Sequence, residues 1–243
     1  MEDPKTNQTD LYWERAGQLG HADALFSSRA LERHINVRIA TIALSIAREL
    51  GLDFSATVLE LGCGDATFAL DFLAPNFKTV WASDKSRAAI ERAKTRSRTN
   101  NVTFEALDAV TLDYNKLPSF DGVFLMGFLH HVKSFTPDLI ANLARAVPRA
   151  VVLEPNGNHV VRKLLEFTPS YKAAGEESFR TAEIVRIFQR AGYRNTACRR
   201  MNLFPNFTPE PLFKLLRSIE PFIERTPLLN ALCTVNIFGF AKT

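Results

Sequence analysis

At 243 residues, with 46% apolar residues and a net charge of +4, the chain has the size and composition of one α/β domain with a substantial core. Nowhere does it reach the roughly eighteen uninterrupted apolar residues of a bilayer-spanning helix; the longest candidate, 228–241, is interrupted by Asn230, Thr234 and Asn236. Three widely spaced cysteines, Cys63, Cys198 and Cys233, exclude a disulfide framework and a Cys-x-x-Cys zinc site, leave no metal centre expected, and read as reduced packing residues.

In chain order, Met1 to Lys5 is polar and lacks the apolar centre of a secretion signal, so a cytoplasmic location is expected, and residues 1–10 read as frayed. The leader over residues 1–50 carries Tyr12 and Trp13, which serve either as a lid over a site or as packing. Ser27 and Ser28 then precede a helical pattern with Glu32 in its first turn. Ile35, Ile39, Ile42 and Ile46 lie toward the core, and Gly51 is the stop.

Val58 to Leu61 reads as a buried strand that stops at the turn Gly62-Cys63-Gly64, followed by Asp65, Ala66 and Thr67. Glycines in such a turn reach positive φ and let the backbone approach a ligand, and the next helix offers unpaired N–H groups. From there apolar strands alternate with amphipathic helices, which implies parallel strands joined by crossovers. Phe68 to Leu73 starts the first crossover helix, and Thr79 to Ser83 is the second strand, ending at Asp84. Asp84 falls 22 residues after Gly62, close to the interval at which an acid reaches ribose hydroxyls; capping of the helix 86–96 is its other reading.

Val102 to Ala106 is the third strand, followed by Asp108, which either accepts from an exocyclic amine or closes an Asx turn. Asp121 to Met126 is the fourth, leading into Gly127-Phe128-Leu129-His130-His131. Histidines at the carboxyl end of a strand stand where open α/β sheets bind ligands. Arg149 to Leu153 is the fifth strand, with Glu154 and His159 in the polar segment beyond it. Val160 to Phe167 reads as helical, Thr168 to Ser178 as a loop, and Thr181 to Ala191 as an amphipathic helix with Ile184, Val185 and Phe188 inward.

Tyr193 to Phe204 is expected as the sixth strand and Val235 to Lys242 as the last, antiparallel to its neighbour. Between them, residues 205–229 form an insertion in which Leu212, Leu215, Leu216, Ile219, Phe222 and Ile223 follow helical spacing. It reads as a helix packed on the domain or over the substrate site, with a dimer contact or a membrane-surface helix as the other readings. The basic groups at Arg87 to Arg98 and Arg186 to Arg200 read as solvated helix faces. Aromatic residues are not interleaved with them as a base-stacking platform would need, so no nucleic-acid partner is expected.

Together these residues resemble the class I S-adenosylmethionine-dependent methyltransferases. Val58-Leu59-Glu60-Leu61-Gly62-Cys63-Gly64 is similar to that family's first motif, Asp84 to its ribose-binding acid, and Leu107-Asp108-Ala109 to its adenine-contacting segment. Phe120 to Val123 and Leu129 to Val132 resemble its fourth strand and the segment beyond. Ala66 stands where many members have a third glycine, a replacement tolerated if its φ stays negative.

The resemblance implies a doubly wound, mostly parallel seven-stranded sheet with an antiparallel last strand, a Rossmann-like fold. The chain 1–243 is then one domain with cofactor-binding core 51–204, insertion 205–229 and last strand 230–243. It implies S-adenosyl-L-methionine as cofactor. Glu60, Gly62, Cys63 and Gly64 would border its methionine end, Asp84 and Lys85 the ribose, and Asp108 and Ala109 the adenine. Met126 and Gly127 would face the sulfonium.

A sulfonium methyl is already electrophilic, so the protein must mainly position a nucleophile and, for a hydroxyl, supply a base. His130 is the preferred base, with His131, Glu154, His159 and Tyr12 as alternates. The Asn/Asp-Pro-Pro-aromatic segment of nucleic-acid amine methyltransferases is replaced by Gly127-Phe128-Leu129-His130, which favours a small-molecule acceptor, aromatic or lipidic, methylated on oxygen. A monomer or a homodimer fits the sequence. Two rival readings are a non-catalytic cofactor-binding partner and a nicotinamide-dependent dehydrogenase. The second lacks its glycine at Thr67 and any Tyr-x-x-x-Lys pair.

Overall fold

Side chains along the central strands alternate between two apolar surfaces. Leu59, Leu61, Val123, Leu125 and Val152 belong to one core, and Val58, Val80, Ala82, Phe124 and Val151 to another. A sheet apolar on both faces must be covered on both, which is the physical basis of the helix–sheet–helix layering. The computed structural model describes residues 26–159, 162–163, 167–168, 177–206 and 208–242. The expectations for Tyr12, Trp13 and the rest of the leader to residue 25, and for most of the segment 160–176, lie outside the described residues.

The sheet consists of β1 Thr57–Leu61, β2 Thr79–Asp84, β3 Val102–Ala106, β4 Gly122–Met126, β5 Arg149–Pro155, β6 Tyr193–Met201 and β7 Val235–Lys242. Its order is β3-β2-β1-β4-β5-β7-β6. β1 to β5 pair in parallel, whereas β7 is antiparallel to both β5 and β6. This is the seven-stranded, Rossmann-like arrangement that the sequence leads one to expect. β6 ends at Met201, three residues earlier than expected, because Asn202 takes positive φ and turns the chain away.

Helices α1 Arg29–Glu49 and α2 Arg87–Arg96 cover one face, while α3 Thr136–Ala146 and α4 Thr181–Arg190 cover the other. The Ser28 hydroxyl caps α1 by accepting from the Leu31 N–H at 3.2 Å, and Ile35 and Ile46 are buried beneath it. The first crossover helix is short: helical residues 67–68 pass into a π segment over Ala69–Leu73, followed by a turn at 74–76.

The insertion departs from the expected single helix. It forms two short helices, α5 Glu210–Leu216 and α6 Glu220–Arg225, then a 3₁₀ turn Leu229–Leu232. Pro221 sits in the first turn of α6, where its missing N–H costs nothing; inside a continuous helix it would break the ladder. The apolar residues split accordingly. Phe213 is buried with Phe204, Leu31 and Ile35, but Leu212, Leu215, Ile219 and Phe222 face outward.

Carboxylates hold the insertion to α1. The buried Glu220 side chain pairs with Arg38 and with His34 Nε2 (2.7 Å), and it accepts the Leu203 N–H at 2.9 Å. Glu224 pairs with Arg38 and accepts the Asn202 N–H at 2.9 Å. Of the cysteines, Cys63 and Cys233 are buried as expected, whereas Cys198 is exposed on β6.

Candidate active site

The chain leaves β1 toward β2 and β3 and returns to begin β4 on the other side of β1. Between β1 and β4 the connections therefore diverge and leave a crevice at the carboxyl ends of the strands, the place where open α/β sheets take ligands. Two turns border it. The first is 62–66, where Gly62 (φ +71°) and Gly64 (φ +55°) are left-handed; the second holds Gly127 (φ +70°), whose N–H donates to the Leu153 carbonyl at 2.8 Å.

Asp84 ties the first turn to β2: one carboxylate oxygen accepts from the Gly64 N–H at 2.7 Å and the other from the Ser86 N–H at 2.8 Å. Its reading as cap of α2 is corrected, since Ser86 is the N-cap and accepts from the Ala89 N–H. Ala66 is a second correction. Its φ is +57°, not negative, and its N–H donates to the Cys63 carbonyl at 2.9 Å. Full burial of its methyl group in the core holds this conformation against an intrinsic cost of about 1–2 kcal/mol.

Glu60 projects from β1 beneath this turn, 2% exposed, and its Oε2 has no hydrogen-bond partner among the described residues. Burial pushes its carboxyl well above the usual carboxylate range, and the neighbouring Asp84 and Asp65 charges add to the effect. Between the ordinary value near 4.5 and the raised one, the folded chain keeps a proton that the unfolded chain releases. Stability is therefore complete below that window and falls as pH rises through it. Glu60→Gln removes the ionisation, so its melting temperature should gain on the wild type progressively above about pH 4.5. Thermal melts from pH 4 to 9 in which the two curves stay parallel would show that Glu60 carries no such proton. The Cys63 thiol, also buried and beside the same acids, is pushed up and stays protonated.

Around this carboxyl the structure adds residues that the sequence did not single out. Arg96, expected on a solvated face, places Nη1 at 3.2 Å from Asp65 Oδ2 and 3.0 Å from Thr67 Oγ1, closing the turn from α2. The ring of Phe128 lies against Gly62: a Cβ at Gly62 would stand 2.4 Å from Phe128 Cδ2. Asp108 forms the Asx turn, accepting the Val110 N–H at 3.0 Å, while its other oxygen lies 3.6 Å from Lys85 Nζ. Ala109 is buried, and its carbonyl accepts the Tyr114 hydroxyl at 2.9 Å.

Across the crevice, Glu154 at the end of β5 joins the segment after β4. Its Oε1 accepts the Leu129 N–H at 2.8 Å and its Oε2 lies 2.9 Å from His130 Nδ1. Glu154 is 1% and His130 6% exposed. A carboxylate accepting from Nδ1 keeps the proton there and leaves Nε2 with its lone pair. The His131 ring packs on that of His130 with centroids 3.9 Å apart. His130, His131 and Glu154 are thus brought together. His159 instead uses Nδ1 to accept the Arg162 N–H at 3.2 Å, as a helix cap does. Buried Asn156 stitches β5 to the start of β7 by donating to the Cys233 carbonyl at 2.9 Å. Asn236, seen in the sequence only as a break in an apolar run, faces Glu154 in the β5–β7 register. Among the described residues no group of three His, Cys, Asp or Glu side chains could hold a metal ion.

Residues 58–150 match the family model described as a methyltransferase domain. Over these residues the chain is similar to methyltransferase domains. The match spans β1 through the first residues of β5, both crevice turns included. No curated protein matches the chain in sequence. Among solved structures, magnesium protoporphyrin IX methyltransferase (ChlM) from Synechocystis PCC 6803 with bound SAM is similar at TM-score 0.60 and 15% identity, over 100% of this chain and 99% of that one. The N-methyltransferase NodS from Bradyrhizobium japonicum WM9 in complex with S-adenosyl-L-homocysteine is similar at TM-score 0.59 and 16% identity, over 89% of each chain. The [4+2]-cyclase SpnF reaches TM-score 0.59 and 17% identity, over 84% of this chain and 80% of that one. At such identities these likenesses establish the fold.

Proposed function

We propose that the chain transfers a methyl group from S-adenosylmethionine to an oxygen of a small-molecule acceptor, with His130 as base and Glu154 as the group that orients it. The observation that carries this reading is the His130–Glu154 pair at the carboxyl ends of β4 and β5, beside the crevice bordered by Gly62, Gly64 and Gly127.

The residues present fit the cofactor. Glu60 Oε2 is a buried carboxyl oxygen without a hydrogen-bond partner among the described residues, the kind of atom that an ammonium or an ordered water satisfies. Asp84 and Asp108 place carboxylates at the ends of β2 and β3, acceptors of the kind that ribose hydroxyls and an adenine amine need. When bound, S-adenosylmethionine supplies an electrophilic methyl group on a sulfonium. This chain's part is then to hold the acceptor hydroxyl in line and to remove its proton at His130 Nε2. Glu154 stabilises the imidazolium that results. The apolar residues of the insertion suit an aromatic or lipidic acceptor, and SpnF, a [4+2]-cyclase, is a reminder that this fold hosts other chemistry as well. A cytoplasmic place of action accords with the absence, among the described residues, of any helix long and apolar enough to cross a membrane.

Calorimetry with S-adenosylmethionine and with its demethylated product tests the reading directly. Binding of both is expected. Binding of neither rejects it, and binding without turnover over a broad hydroxyl-acceptor panel assigns the chain to a non-catalytic, cofactor-binding role.

A further inference from the structure

The insertion exposes far more apolar surface than its fold requires. Leu215, Phe222 and Leu228 are 72%, 67% and 88% exposed, and Leu212, Ile219 and Leu232 are also exposed. All six lie between residues 212 and 232, and the 3₁₀ turn Leu229–Leu232 packs on α6. So many exposed apolar side chains within one short insertion mark an interaction site.

The charges around it have one sign. Glu220 and Glu224 are turned inward onto Arg38, and Glu210 is taken up by Lys214 at 2.5 Å. Arg217 and Arg225, both exposed, have no acidic partner among the described residues. An outward face of leucines, isoleucine and phenylalanine flanked by unpaired arginines, with its acids neutralised from behind, is complementary to a surface that is apolar inside and anionic at its boundary.

Its location adds a second argument. β7 is antiparallel, so its first residues lie beside the carboxyl end of β5, with Val235 opposite Pro155. The neck of the insertion is closed there by the Thr234 N–H donating to the Asn202 carbonyl at 2.7 Å, and Asn156 binds it to β5. The apolar face and the crevice thus share one rim of the sheet.

We propose that residues 212–232 seat the protein on an anionic lipid bilayer. Leu212, Leu215, Ile219, Phe222, Leu228 and Leu232 enter the acyl boundary, and Arg217 and Arg225 meet the lipid headgroups. This docking is independent of methyl transfer. It turns the rim that carries His130 toward the membrane.

Flotation of the full chain with vesicles of phosphatidylcholine alone, or with about one third phosphatidylglycerol, tests the proposal. The wild type should float with the anionic vesicles and not with the neutral ones. Leu215→Asp/Phe222→Asp should abolish flotation, and Arg217→Gln/Arg225→Gln should weaken it about tenfold or more, since each cation near such a surface contributes roughly 1 kcal/mol. Both pairs of side chains are exposed, so the variants should keep the wild-type melting temperature and cofactor affinity. Failure of the wild type to float, or equal flotation of the Asp variant, overturns the proposal. So does light scattering that shows a wild-type dimer which the Asp variant dissolves, because a second copy would then cover the face.

Discussion

Gly62→Ala is expected to abolish S-adenosylmethionine binding in a calorimetric titration of the folded variant. Two independent costs meet at this one residue. An L-residue at φ +71° carries about 1–2 kcal/mol of left-handed strain, and its Cβ would lie 2.4 Å from Phe128 Cδ2, far inside contact distance. The ring cannot retreat alone. It leads directly into Leu129, whose N–H is held by Glu154, so displacement spreads across the crevice from β1 to β5. The double variant Gly62→Ala/Phe128→Ala removes the overlap and leaves the strain, so it should recover part of the lost melting temperature and measurable, weakened binding. Unchanged affinity in Gly62→Ala would refute the assigned pocket.

His130→Ala should lower kcat about 10²- to 10⁴-fold, the range of a positioned general base, while cofactor affinity stays near that of the wild type. Glu154→Gln separates base from scaffold. Its carbonyl can still accept the Leu129 N–H, but its amide group donates to His130 Nδ1, moves the ring proton to Nε2 and removes the lone pair that takes the acceptor's proton. Glu154→Gln should therefore approach His130→Ala in kcat, with little change in melting temperature. A rate unaltered in His130→Ala would remove His130 from the mechanism.

Much of this architecture was legible in the sequence because it rests on local periodicity. The near-continuous apolar runs of β1, β2, β4 and β5 and the stop at Gly62 need no tertiary information. The cap at Ser28, and the ends of α1 and α4 at glycines, are equally local. What the sequence missed is set by contacts between distant residues. Ala66 reads as an ordinary helix former, and only its burial beside Cys63 and Leu73 holds it left-handed. Arg96 belongs by spacing to a solvated face but reaches back 31 positions to Asp65. The ring of Phe128 on Gly62 joins two strand ends 66 residues apart, which no pattern along the chain reports.

The insertion failed for a different reason. Its apolar residues do follow helical spacing, yet Pro221 was present in the sequence as a break, and outward and inward leucines cannot be distinguished by period alone. Among the proposed site residues, Glu154 and His130 could be placed at strand ends from the sequence, but their mutual bond is a product of adjacent strands β4 and β5.

The reversal of β7 has a consequence for how such a chain can diversify. Had β7 run parallel, the connection from β6 would have delivered it from the opposite edge of the sheet, remote from both crevice turns. Because it enters beside Pro155, every residue added or removed between Asn202 and Thr234 reshapes the mouth of the crevice. The ladder from β3 to β5, with Glu60, Asp84 and the two glycine turns, is untouched by such a change. Residues 203–233 are in this sense an exchangeable cassette clamped at a two-residue neck. One donor-binding half can thereby be fitted with successive acceptor entrances without rebuilding its sheet.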